Sequence, residues 1–343
     1  MPLDDKQMLD LLAPEFRACV ERDRAAGGPS ISEMTVEQAR KLMRDMQQAD
    51  VSTFAVTTEQ HEVDDFSVLV LKPTRASEPL PVVLYLHGGG WVLGDAGTHA
   101  RITREIAVQS QAAVVFVEYA RAPEAPFPLP LEQCYRSLTW VAEQGRSLEL
   151  DSERIALARD CAGGNLAAAV SLLAARRKGP AIRLQALLYP VTDCGFDTRS
   201  YLDFERGLNL DRESMRWFWE KYVPDAAARV DPLASPMRAS AAELKAMPST
   251  LIITAECDVL RDEAEAFARK LGDAGVQVTA VRFAGALHGF MVIDELAGAT
   301  QTVVAMRLLV SELRSAMGPM SLRDMGHPHP PKRHAVGGII TPV

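Results

Sequence analysis

The sequence predicts an α/β fold built on a mostly parallel central sheet with helices on both faces. Short β-rich apolar runs alternate along the chain with longer stretches of helical periodicity, the order expected of strand and crossover-helix units. Several of those runs are apolar almost throughout, as strands covered on both faces must be. With 343 residues and a hydrophobic share of 48%, the chain is long and apolar enough to bury a large core. No fixed-period repeat is present, which excludes solenoids and propellers.

Residues 1 to about 48 read as helices ahead of the first strand. The expected strands are "FSVLVLKP" from Phe66, "PVVLYLHG" from Pro81, "AAVVFVEY" from Ala112, "RIALARD" from Arg154, "LQALLYP" from Leu184, "STLIITAE" from Ser249 and "VQVTAVRF" from Val276. Helices are expected near 98–110, 130–145, 162–178, 261–274 and 294–316. Residues 195–247 interrupt the alternation and carry Trp217, Phe218, Trp219 and Tyr222 in one short helical run. That aromatic cluster fits packing under a helix as well as it fits a substrate pocket. Residues 1–48 and 195–247 together would cap one end of a core spanning 49–317. The remainder, 318–343, is rich in Pro, Gly and His, the composition of a mobile tail.

The formal net charge of -8 is spread without long single-sign runs, so nothing favours nucleic acid or an anionic membrane surface as a partner. The first residues carry acids and no apolar run of signal-peptide length, which predicts a cytoplasmic enzyme. Cys19, Cys134, Cys161, Cys194 and Cys257 are odd in number and form no C-x-x-C pair, against both a disulfide framework and a zinc site. His327, His329 and His334 have no acid or thiol directly beside them to complete a site, so no metal is expected there either.

Cys161 stands directly after the strand "RIALARD" and directly before an alanine-rich helix. Strand, tight turn and helix are the setting of a nucleophile elbow, whose general form is G-x-S-x-G. Taken alone, a cysteine in such a place is most often a buried, inert side chain. Upstream, "LHGGGW" ends a strand with three glycines whose amides can approach a ligand closely. Gly89, Gly90 and Ala162 are the expected oxyanion donors, with Gly88 as substitute if the register is off by one. His87 would brace that loop, and Trp91, Trp217 and Phe218 are candidates for substrate contact. Downstream, Asp258 follows one strand and His288 follows another, on the same rim of the sheet as Cys161. Nucleophile, acid and base in that chain order match the α/β-hydrolase order.

These stretches, with "EYARAPEAPFP" at Glu118 and "DPLASP" at Asp231, resemble the hormone-sensitive-lipase family of α/β-hydrolases from about residue 64 to 316. The resemblance implies carboxylester hydrolysis of small acyl substrates, no cofactor and a helical cap. It also implies a homodimer, with Cys161, Asp258 and His288 at the triad positions. Two residues depart from the family pattern G-D-S-A-G-G-N: Cys161 replaces the serine, and Arg159 the first glycine. A helix N-terminus and a nearby imidazole favour a thiolate and imidazolium pair at Cys161. Arg159 could assist if its head turns inward, or else reach solvent.

A thiol changes the fate of the intermediate. A thiolate, conjugate to an acid near pKa ~8.5, leaves far more readily than an alkoxide, whose parent resembles water at about 15.7. Alkyl esters would mostly return to starting material, while aryl esters, strained lactones and thioesters would not. The acyl-thioester could also pass its acyl group to an amine or alcohol, as in a transferase. A third outcome is a catalytically silent small-molecule binding protein, as gibberellin receptors resemble this family with a broken triad. That outcome sits poorly with a replacement that is itself nucleophilic.

Overall fold

The computed structural model describes residues 3–75 and 79–318, so the expected histidines of the tail lie outside the described residues. Helices α1 (Asp5–Leu11), α2 (Pro14–Ala26) and α3 (Val36–Met46) come first, then strands β1 (Val56–Val63), β2 (Phe66–Pro73) and β3 (Leu80–Leu86). Helix α4 (Ala100–Ser110), β4 (Ala113–Glu118), α5 (Leu129–Gln144), β5 (Leu150–Asp160), α6 (Cys161–Arg177) and β6 (Leu184–Leu188) follow in strict alternation. The interruption contains the short α7 (Arg199–Asp203), α8 (Arg212–Tyr222) and α9 (Ala241–Leu244). The chain then closes with β7 (Ser249–Cys257), α10 (Arg261–Asp273), β8 (Val278–Leu287) and α11 (Thr300–Met317).

The strands form one sheet in the order β1-β2-β4-β3-β5-β6-β7-β8. Both neighbours of β2 pair with it antiparallel, and every other pairing is parallel, so β2 alone runs against the rest. Helices α4 and α11 pack together on one face, while α5, α6 and α10 cover the other. This double cover explains why β4 and β6 are buried along nearly their whole length and why their sequences carry no alternation.

The expected strands are all present. The sequence reading missed β1, "VTTEQHEV", because this edge strand leaves most of its side chains exposed on both faces and shows no apolar period. Helix α11 starts at Thr300 rather than near 294, because residues 294–296 form a separate 3₁₀ turn.

Helices α1 to α3 lie against both the core and the 195–247 segment. Leu3 donates its amide to the Asp203 carbonyl, and Arg24 donates to the Gly207 carbonyl at 2.9 Å. Arg40 on α3 reaches the carbonyls of Val92 and Ala122 and pairs with Glu124, tying that helix to the loop after β3.

Candidate active site

Strand β5 ends at Asp160 and α6 begins at Cys161 with no linker between them. The chain turns there by placing Cys161 at φ +52°, a left-handed conformation that costs a non-glycine residue energy and persists only where its surroundings enforce it. They do: a Cβ at Gly163 would lie 2.0 Å from the Leu86 carbonyl oxygen, and one at Gly164 would meet Pro190 at 2.6 Å. Only glycine lets α6 start so close to β3 and to the chain after β6. Cys161 itself is 7% exposed.

Asp160 holds the glycine loop to this turn. Its Oδ1 accepts hydrogen bonds from the Tyr85 hydroxyl at 2.8 Å and the Gly88 amide at 3.1 Å, with His99 Nε2 at 3.5 Å. Burial opposes its charge, but His99 and the Tyr85 hydroxyl outweigh that and hold its pKa below the usual carboxylate value. Gly88 is thereby corrected as an oxyanion donor: its amide hydrogen is committed to Asp160, and its Cα lies too close to that carboxylate for any side chain. Gly89 and Gly90 take φ of +101° and +61°, and the Gly89 carbonyl accepts the amides of Val92 and Leu93 to close a tight turn. His87 lies beneath, stacked on Tyr119 at 4.2 Å with Nδ1 2.8 Å from the Gly88 carbonyl. Burial pushes the His87 pKa down to about 3, so the ring is a neutral brace.

Asp258 and His288 follow the ends of β7 and β8. His288 Nδ1 lies 2.8 Å from Asp258 Oδ2, and the other Asp258 oxygen accepts the Leu260 amide at 2.9 Å. Both are buried, at 7% and 1% exposed. Burial alone would lower the His288 pKa; the Asp258 charge, the Cys161 charge and hydrogen bonds to both override it and raise the ring well above its ordinary value. The structure thus brings Cys161, His288 and Asp258 together in one buried cluster.

The aromatic run divides by face. Trp219 and Tyr222 are fully buried, and Trp91 stacks on Tyr222 at 4.3 Å and meets Trp219 edge-on at 5.0 Å. Trp91, at 0% exposed, packs the glycine loop against α8, which corrects the expectation of substrate contact. Phe218 lies directly over Gly90, where a Cβ would come within 2.1 Å of its ring. Trp217 is partly exposed beside Phe218, with Lys221 over its face.

Arg159 reaches neither solvent nor the thiol. It is 0% exposed, and its three guanidinium nitrogens have no hydrogen-bond partner among the described residues. Burial pushes its pKa down to about 9, with only Cys134 and Tyr85 acting against that.

Sequence reading also missed two supports of His288. Tyr189 sets its ring 4.9 Å from the imidazole at 66°. Arg101 on α4 holds the loop beyond His288 through the carbonyls of Met291 and Val292 and through Asp294. The "YP" after β6 marked the first position; nothing in the sequence connects α4 with residue 291.

A family profile described as the α/β hydrolase fold matches residues 83–292. The ethyl acetate hydrolase of Pseudomonas putida is 32% identical over 289 residues, covering 79% of this chain and 88% of that protein. Carboxylesterase NlhH of Mycobacterium tuberculosis is 37% identical over 228 residues, covering 66% and 72%. Among solved structures, a thermostable esterase from Pseudomonas putida ECU1011 superposes with a TM-score of 0.87 at 39% identity, covering 90% of this chain and 98% of that one. A Rhizomucor miehei esterase structure gives 0.83 at 35% identity, covering 89% and 96%. Fold, elbow and relatives agree that the chain belongs to the α/β-hydrolase family, in its hormone-sensitive-lipase-like group.

Proposed function

We propose that the protein is a carboxylester or thioester hydrolase for small acyl substrates, working through a covalent acyl group on Cys161. The observation that carries this reading is the His288–Asp258 pair packed against a thiol held at a left-handed strand-to-helix turn. The esterases and ester hydrolases among its relatives support the same chemistry.

The Cys161 sulfur attacks the substrate carbonyl carbon, and the carbonyl electron pair moves to oxygen. That oxyanion is stabilised by main-chain N–H groups of Gly89, Gly90 and Ala162. The intermediate collapses to an acyl-thioester as His288 gives its proton to the departing alcohol or thiol. His288 then removes a proton from water, which attacks the thioester and releases the acid. Asp258 keeps the ring in the orientation and tautomer both steps need.

Because thiolate departs more easily than alkoxide, the first collapse favours substrates with good leaving groups: aryl esters, strained lactones and thioesters. Phe218 over Gly90 keeps the acyl side narrow. The segments 1–48 and 195–247 serve as the cap that covers it.

Intact-protein mass spectrometry after mixing with a phenyl ester of a short acid tests the reading. One acyl group added at Cys161, decaying in water, is the expected result. Decay only on addition of an amine would identify a transferase instead, and no mass gain would overturn the acyl-cysteine mechanism.

A further inference from the structure

The segment after β6 touches each part of the site in turn. Tyr189, at φ +38° and with its amide donated to the Ile253 carbonyl, presses its ring on His288. Pro190 fills the space that Gly164 leaves. Val191 donates its amide to the Cys161 carbonyl at 3.2 Å. The next two amides, of Thr192 and Asp193, both donate to Glu263 Oε1, at 2.6 and 3.3 Å. Glu263 stands in the first turn of α10, directly after the Asp258 loop.

We infer that Glu263 is a positioning residue that fastens segment 189–193 to the Asp258 loop, so that nucleophile, base and acid share one frame. The inference rests on the reading of Cys161 as a nucleophile paired with His288.

Glu263 is 3% exposed, and its Oε2 has no partner among the described residues. The groups acting on it are the carboxyls of Asp193 and Asp258, and it in turn acts on the buried phenol of Tyr201. Burial and the two acids outweigh the two amide bonds and keep Glu263 protonated well above the ordinary range for a carboxyl. A neutral acid can accept both amides without setting a second negative charge beside Asp258, whose charge His288 requires. Glutamine has the same reach and accepts the same bonds. Alanine or methionine leaves two amides, the one at Thr192 fully buried, without that acceptor.

The test is alkylation of Cys161 by iodoacetamide as a function of pH, located by peptide mass spectrometry, for the full chain, Glu263→Gln and Glu263→Ala. Phenyl ester kcat and KM are measured in parallel. The glutamine variant should keep the wild-type alkylation profile and a kcat within about twofold, while the alanine variant should depart from that profile and lose about tenfold or more in kcat at little-changed KM. Should alanine not fold, Glu263→Met, which fills the volume but accepts no amide, takes its place. Equal damage from glutamine and alanine overturns the inference, as does an alanine or methionine variant that alkylates like the wild type. A wild type that is alkylated at Cys161 yet never forms an acyl-enzyme ends the hydrolase reading alone, since the alkylation comparison needs no turnover.

Discussion

Two departures at the elbow, Arg159 and Cys161, on either side of Asp160, have different costs. On the proposed mechanism, Cys161 costs turnover. Cys161→Ser exchanges a good leaving group for a poor one, so hydrolysis of ethyl or butyl acetate should rise by about tenfold or more, equivalent to at least ~1.4 kcal/mol of barrier. Initial rates with the two proteins decide this, and faster alkyl ester hydrolysis by the cysteine form would refute the leaving-group account. Arg159 is a cost to stability. A guanidinium remains charged at neutral pH, and here it is fully buried on a central strand without a hydrogen-bond partner among the described residues. An unpaired buried charge is expensive, so Arg159→Met, similar in length and apolar, should raise unfolding free energy by about 1–4 kcal/mol. Urea denaturation midpoints measure it; an unchanged or lower midpoint would mean that the charge is compensated.

Among the elements, the glycine loop after β3 is the most finely supported. His87 lies stacked between Phe116 and Tyr119, neutral and sealed from water. An unfolded chain takes up a proton at His87 below about 6.5, whereas the folded ring does so only near 3. Protons therefore bind the unfolded state preferentially inside that window, and stability is lost as pH falls through it. Between about pH 7.5 and about pH 5 this one ring should cost up to ~2 kcal/mol. His87→Phe keeps the stack and removes the titration, so its urea midpoint should fall less over the same interval. Equal falls in both proteins would assign the acid sensitivity elsewhere.

At the scale of the whole molecule, what the sequence revealed follows what the interior demands. Strands β3, β4, β6 and β7 declared themselves because both faces are buried and select mostly apolar residues. Cys161, Asp258 and His288 were legible because each follows a strand directly, a position with a chemical meaning that a single sequence can carry. Edge strand β1 was silent, since solvent tolerates almost any residue on it. Glu263, Tyr189 and Arg101 were silent for another reason. Each acts through a contact between elements distant in the chain, and such pairings have no period. The split of the aromatic run, Trp219 inward and Trp217 outward, likewise awaited the placement of α8.

The order of the strands also carries a consequence for how the protein is made. Cys161 lies at mid-chain, while His288 follows β8, at the far edge of the sheet. On the ribosome the thiol emerges long before the imidazole that would activate it has been synthesised. On the proposed mechanism, a nascent or prematurely terminated chain therefore carries an unarmed sulfur, and reactivity arrives only when the last strand docks.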